Sequence, residues 1–139
     1  YKMEEINEEE CVILKKITNN YKTQIVVQEF LPDIYDGDVR VLIIHGKPYE
    51  KTLARIPQGG SFKGNLAAGG KGEVRDISDI QMRIGSVVGE FLMEKDINFA
   101  GIDIIGQKLT EINITSPTCA REIYEQSGMN PIEEYFKKL

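Results

Sequence analysis

Asp103, Glu111 and Asn113 are polar residues within two otherwise branched apolar segments, FAGIDIIG (99–106) and KLTEINIT (108–115). The pair predicts a β-hairpin around Gly106-Gln107. Strand side chains alternate between faces, so Glu111 and Asn113 share one face while Ile112 and Ile114 take the other. Whether Asp103 joins them depends on register. An odd loop, for instance 106–108, sets Asp103 opposite Glu111 and Ile102 opposite Ile112. An even loop puts Glu111 across from Ile102 and mixes a carboxylate into the apolar face, so burial favours the odd loop. Two carboxylates and an amide oxygen then share a small area. Carboxylates so placed repel and raise each other's pKa unless a cation neutralises them. Magnesium suits the set, because it takes hard oxygen ligands and commonly one or two carboxylates plus substrate phosphates. A solvated sheet face, with the three residues simply meeting water, fits the pattern equally well. A calcium loop fits less well, since the acids lie on strands and lack EF-hand spacing.

Arg40 and Arg55 stand beside predicted strands. A guanidinium fork matches carboxylate or phosphate oxygens, which makes both candidates for holding an anion opposite the metal. For a lone arginine, surface solvation is the commoner outcome. VVQEFLP (26–32) offers backbone groups that a flat base could pair with, although an ordinary edge strand reads the same. His45, the only histidine, and Tyr35 and Phe62 read as structural residues.

These residues need a scaffold. EINEEECVILKKITN (5–19) has acids first and lysines later, which suits the helix macrodipole and predicts a short amphipathic helix. QIVVQEF (24–30) predicts a strand, followed by a turn-rich acidic segment. RVLIIHG (40–46) predicts a buried strand, and Gly46-Lys47-Pro48 turns the chain into another near KTLARI. Ser78 and Gln81 form a capping box for a helix over 79–95, whose stripe Ile80, Ile84, Val87, Val88, Phe91 and Leu92 should be buried. Ser116-Pro117 predicts the start of a helix running to Gly128, and Asn130-Pro131 the start of a last short one. Strands and helices mix without a βαβ rhythm. The fold class is therefore α+β with a mainly antiparallel sheet flanked by helices.

At 139 residues, with 41% apolar and 28% charged positions, the chain has the size and composition of one folded unit. A net charge of −5 argues against general nucleic-acid binding. Cys11 and Cys119 match no metal spacing and read as reduced thiols of a cytoplasmic protein. The sequence shows neither a membrane-length apolar run nor a leader, so neither a membrane nor a nucleic acid is an expected partner. It opens on Tyr1, which points to a piece of something longer. Residues 54–75, ARIPQGGSFKGNLAAGGKGEVR, hold six of the thirteen glycines, a composition suited to a flexible linker or a phosphate cradle.

QEFLP, DGDVRVLI, ARIPQGG, GNLAAGGKGE, FAGIDIIG and LTEINITSPTCAREI, in this order and spacing, closely resemble the C-terminal part of bacterial glutathione synthetase, an ATP-grasp ligase. The resemblance runs from about Gln24 to the C-terminus. It implies that residues 1–29 are the remnant of the small ATP-grasp lobe and 30–139 the large C-terminal lobe, with a mobile lid at 56–71. It also implies that the N-terminal substrate domain and the first half of the small lobe, with two nucleotide-binding lysines and a glycine-rich phosphate loop, are absent. This piece alone is then expected to be inactive.

The implied reaction joins glycine to γ-glutamylcysteine through an acyl phosphate, giving glutathione, ADP and phosphate. By resemblance Asp103, Glu111 and Asn113 take Mg2+, with Mn2+ an alternative, and Arg40 and Arg55 face the transferred phosphoryl group. Gln28, Glu29, Phe30 and Leu31 frame adenine, and Asp38 meets the ribose of ATP. Glu29-Phe30 departs from the Asn-Tyr pair of one well-known member, which weakens that side-chain assignment more than the site. Ser116, Thr118, Gly60 and Asn65 bind substrate, the first two at the N-terminus of the helix expected from Pro117. The resemblance further implies a homo-oligomer, a tetramer in the family. Another ATP-grasp ligase, or a binding module without catalysis, are the alternative readings.

Overall fold

A computed structural model describes residues 7–59, 62, 64 and 69–137. The chain divides into two units, Tyr1–Leu31 and Pro32–Leu139.

The first unit contains helix α1, Glu8–Ile17. Asn7 caps it through a reciprocal box with Glu10, and Glu8, Glu9 and Glu10 precede Lys15 and Lys16, which is the charge order the macrodipole favours. Residues 24–31 correct the expected strand: they are irregular and pair with no described strand. Val26 and Val27 are exposed there, and β-propensity without a neighbouring ladder leaves a run extended at most.

Among the described residues the second unit is built on an antiparallel sheet of six strands: β1 (Asp38–Ile44), β2 (Lys47–Pro48), β3 (Lys51–Ile56), β4 (Lys71–Asp76), β5 (Phe99–Ile105) and β6 (Lys108–Asn113). The order is β4-β3-β1-β5-β6, with β2 paired to β1 through the His45-Gly46 turn. The sheet and its flanking helices agree with the expected α+β class. β4 was hidden inside the glycine-rich stretch. It is an edge strand whose outer side is covered: Val74 N–H donates to Gln126 Oε1, and Gln126 Nε2 donates to the Gly72 carbonyl.

One face of the sheet carries Val39, Val41, Ile43, Ala54, Ala100, Ile102 and Ile104 under helix α2, Asp79–Met93. The Ser78–Gln81 capping box starts this helix as expected. Its buried edge keeps only part of the predicted stripe, Val88 and Leu92 with Ile84 packed against the same core. Gly85, Val88, Gly89 and Leu92 face inward, while Val87 and Phe91 are 68% and 52% exposed. The two glycines explain the rotation. A Cβ on Gly89 would overlap the Gly46 carbonyl oxygen, and one on Gly85 would sit 2.7 Å from Pro48 Cγ, so the helix lies with its smallest edge against the β1–β2 turn.

The other face is split. Leu42 and Leu53 pack with Cys119 and Ile123 beneath helix α3, Ala120–Ser127. Helix α4, Pro131–Phe136, follows with the expected Asn130 cap, and the Tyr135 ring stacks on His45. Toward the Asp38 end of β1 the same face becomes ionic.

Candidate active site

Strand alternation puts Asp38 and Arg40 on the face of Leu42, Arg55 on that of Leu53, and Gly101 and Asp103 beside them. Register then sets partners. Arg40 lies directly across from Asp103, and Asp38 directly across from Arg55. Arg40 grips Asp103 with two donors, Nε to Oδ1 at 2.5 Å and Nη2 to Oδ2 at 2.8 Å. Arg55 Nη2 reaches Asp103 Oδ2 at 2.8 Å and Asp38 Oδ2 at 2.5 Å. Arg40, Arg55 and Asp103 are each 5% exposed or less. Charges are buried this deeply only when paired.

The electrostatics follow from that geometry. Burial works against the charged form of Asp103, but hydrogen bonds and charge from Arg40 and Arg55 outweigh it and hold the carboxyl below the ordinary range. Asp38 goes the other way: burial raises it, Arg55 only partly compensates, and Asp103 adds repulsion. Burial disfavours the charge on both arginines, yet Asp103 above all keeps them firmly protonated. Asp38 Oδ1 is buried and has no hydrogen-bond partner among the described residues. Burial also pushes the Cys119 thiol up, against the opposing pull of Thr118, Arg40 and Arg55.

Glu111 pairs with Asp103 and Asn113 with Gly101 across β5–β6, so the three expected magnesium residues share this face. The route to that register differs from the expectation. The loop is the even pair Gly106-Gln107, and a bulge restores the alignment: Ile104 pairs with Leu109, Asp103 with Glu111, and Thr110 is the extra residue. Thr110 Oγ1 donates to the Asp103 carbonyl at 3.1 Å.

The donor set is two carboxylates and an amide oxygen, which fits Mg2+ in kind. Asp103 already has cationic partners in Arg40 and Arg55, Glu111 is exposed, and the Asn113 oxygen accepts from Ser116 N–H at 3.4 Å. Among the described residues no three His, Cys, Asp or Glu side chains stand together as a ready metal cluster. At Asp103 the positive charge that a buried carboxylate demands comes from two guanidiniums.

The helix expected from Pro117 begins at Ala120, with Cys119 at its N-cap in a left-handed conformation and no side-chain cap. Ser116 and Thr118 therefore precede the helix rather than opening it, and the helix-terminus argument for their binding an anion does not hold. Thr118 instead accepts from Arg40 Nη1 at 3.4 Å. Gln28, Glu29, Phe30 and Leu31 lie in the irregular part of the first unit. Gly60 and Asn65, with part of the expected lid, fall outside the described residues.

The sequence alone does not disclose that the arginines and acids are one another's partners. An arginine in the middle of an apolar strand, as in DVRVLII, is the available signal, because such a residue needs a carboxylate.

Two guanidiniums beside hard oxygen donors on an antiparallel sheet match the geometry of phosphate or carboxylate oxygens. Residues 2–128 match the family described as prokaryotic glutathione synthetase, ATP-grasp domain, and the chain belongs to that family. It is 47% identical over 123 residues to the glutathione synthetase of Vibrio parahaemolyticus, a match covering 88% of this chain and 39% of the relative. The glutathione synthetase of Pseudomonas syringae is 50% identical over 119 residues, covering 86% of this chain and 37% of the relative. That of Xylella fastidiosa is 46% identical over 128 residues, covering 92% and 41%. The chain thus spans about two fifths of the length of these relatives. The ATP-grasp ligase PsnB, complexed with precursor peptide PsnA2 and AMPPNP, aligns over 68% of this chain and 28% of its own, at 17% identity and a TM-score of 0.44, too distant to add to the fold assignment.

Proposed function

We propose that this chain is the phosphoryl-handling part of an ATP-dependent carboxylate–amine ligase that joins glycine to γ-glutamylcysteine. The reaction is assigned to the polypeptide that carries this chain together with the regions the relatives have and this chain lacks. The observation that carries the reading is the convergence of Arg40 and Arg55 on Asp103, on the face shared with Glu111 and Asn113 and inside the family match.

In this reading a carboxylate oxygen of γ-glutamylcysteine attacks the γ-phosphorus of ATP and ADP leaves. The glycine amine then attacks the acyl carbon, loses a proton, and phosphate departs with the carboxylate oxygen. Arg40 and Arg55 present fixed positive charge in a water-poor setting, where it stabilises developing phosphoryl charge without reorganising at the moment of transfer. Asp103 aims both guanidiniums. Asp103, Glu111 and Asn113 would hold Mg2+, or Mn2+, which on binding neutralises phosphate charge. The unpartnered Asp38 Oδ1 supports its role as acceptor for a ribose hydroxyl, since a buried acceptor without a donor is costly until one arrives. Gln28, Glu29, Phe30 and Leu31 are assigned to adenine, and Ser116, Thr118, Gly60 and Asn65 to substrate. The units 1–29 and 30–139 are assigned to the small and large lobes, and 56–71 to a lid that excludes water. A cytoplasmic homo-oligomer completes the proposal; no helix among the described residues is long and apolar enough to cross a membrane.

The test is glutathione formation from ATP, γ-glutamylcysteine and glycine by the longer polypeptide. Arg40→Ala should lower kcat by about 100- to 1000-fold. Turnover unchanged in that variant would refute the assignment.

A further inference from the structure

Gly101 interrupts the run Phe99–Ile105 where a branched residue would serve the strand better. Its position is directly across from Leu42 and Asn113, two residues before Asp103 on the ionic face. A Cβ built there would lie 2.9 Å from Arg40 Cδ, 3.3 Å from Arg40 Nε and 3.0 Å from Pro117 Cβ. The Arg40 side chain therefore runs over bare backbone at Gly101, with Pro117 close by, before its guanidinium meets Asp103 and Thr118.

We propose that Gly101 is a positioning residue for Arg40: the missing side chain leaves the channel through which Arg40 reaches both oxygens of Asp103. The proposal rests on the functional reading above only for its effect on turnover; its structural content stands on Arg40 alone. A methyl group at 101 meets backbone nowhere among its three nearest contacts. It meets the shaft of a flexible arginine and the edge of a proline, so the accommodation falls on the arginine. The fold tolerates the change while the guanidinium moves off its carboxylate.

The experiment is Gly101→Ala followed by 15N–1H spectroscopy of the Arg40 Nε–H, with no nucleotide or metal present. In the parent chain this proton is buried against Asp103 and should give a sharp, slowly exchanging signal, to be assigned by its loss in Arg40→Lys. In Gly101→Ala the signal should shift or vanish while the melting temperature falls by less than about 8 °C. An unmoved signal overturns the proposal. If Gly101→Ala does not fold, Arg40→Ala/Gly101→Ala should be no less stable than Arg40→Ala alone, because the clash with Cδ is gone; an added loss in the double variant as large as that of Gly101→Ala in the parent also overturns it. In the longer polypeptide Gly101→Ala should lower kcat by about 100-fold, as a misplacement of about 1 Å can do, with KM for ATP little changed. A shifted Arg40 signal in a polypeptide that makes no glutathione upholds the positioning role and refutes the functional reading, which separates the two.

Discussion

Arg40 holds both oxygens of Asp103 from the facing position on the next strand, at 2.5 and 2.8 Å, with both side chains about 4% exposed. The pair is too deeply buried for either partner to be removed cheaply. Asp103→Asn leaves two guanidiniums without a full counter-charge, and should lower the unfolding free energy by about 3–5 kcal/mol. Urea denaturation of the variant checks this; a loss below 1 kcal/mol, within the range for exposed pairs, would contradict the geometry.

The pH dependence of stability carries two opposite signs. Asp103 has its folded pKa lowered, so its contribution is complete above the ordinary carboxylate value of about 3.9 and is lost as pH falls through the lower folded value. Asp38 has its pKa raised, so its contribution is complete below about 3.9 and is lost as pH rises through the folded value. Asp103→Asn should therefore flatten the acid limb of a stability-against-pH curve, and Asp38→Asn the limb between about pH 4 and the folded value. Denaturant midpoints across pH 2.5–7 read both slopes, and variants whose curves run parallel to the parent would disprove the assignment.

Glu111 separates activity from folding. It faces Asp103 across the hairpin but is exposed. Glu111→Gln should change stability by no more than about 0.5 kcal/mol. In the longer polypeptide the same variant should require more magnesium for half-maximal turnover. An unchanged magnesium titration would remove Glu111 from the metal set.

Helix α2 makes a prediction about packing. Val87→Ser, on its exposed side, should be nearly neutral, whereas Gly89→Ala should cost about 1–3 kcal/mol because its methyl overlaps the Gly46 carbonyl. Thermal melts of the two variants decide whether the helix rests on its glycine edge or on the apolar stripe.

That helix also shows how much the sequence disclosed. Its capping box and length were legible, because both are local signals. Its orientation was legible in part: Ile84, Val88 and Leu92 do face the core, but hydropathy also counts Val87 and Phe91 as core and cannot see that Gly85 and Gly89 permit closer approach. The hairpin behaves similarly. The facing of Asp103 and Glu111 followed from keeping acids off the apolar side, but a bulge at Thr110 achieves it where an odd loop was expected, since either insertion satisfies burial. The strand expected at 24–30 was read from β-branched residues alone, and a strand also needs a neighbour. At the site the residue types and common face were readable; the arginine–carboxylate pairing was not, because it depends on which strands lie side by side. Helix α3 starts at Ala120 rather than Pro117, so a Ser-Pro pair proved to be approach chain and not a cap.

On the proposed function this ionic face serves phosphoryl transfer to a carboxylate. The most direct measurement uses γ-glutamylcysteine labelled with 18O in its reacting carboxylate, supplied with ATP, glycine and Mg2+ to the polypeptide carrying this chain. An acyl phosphate requires that one labelled oxygen leave in each inorganic phosphate formed along with glutathione, and Arg40→Ala should suppress both products together. Phosphate released without label while glutathione forms, or glutathione formed at the parent rate by Arg40→Ala, would contradict the account.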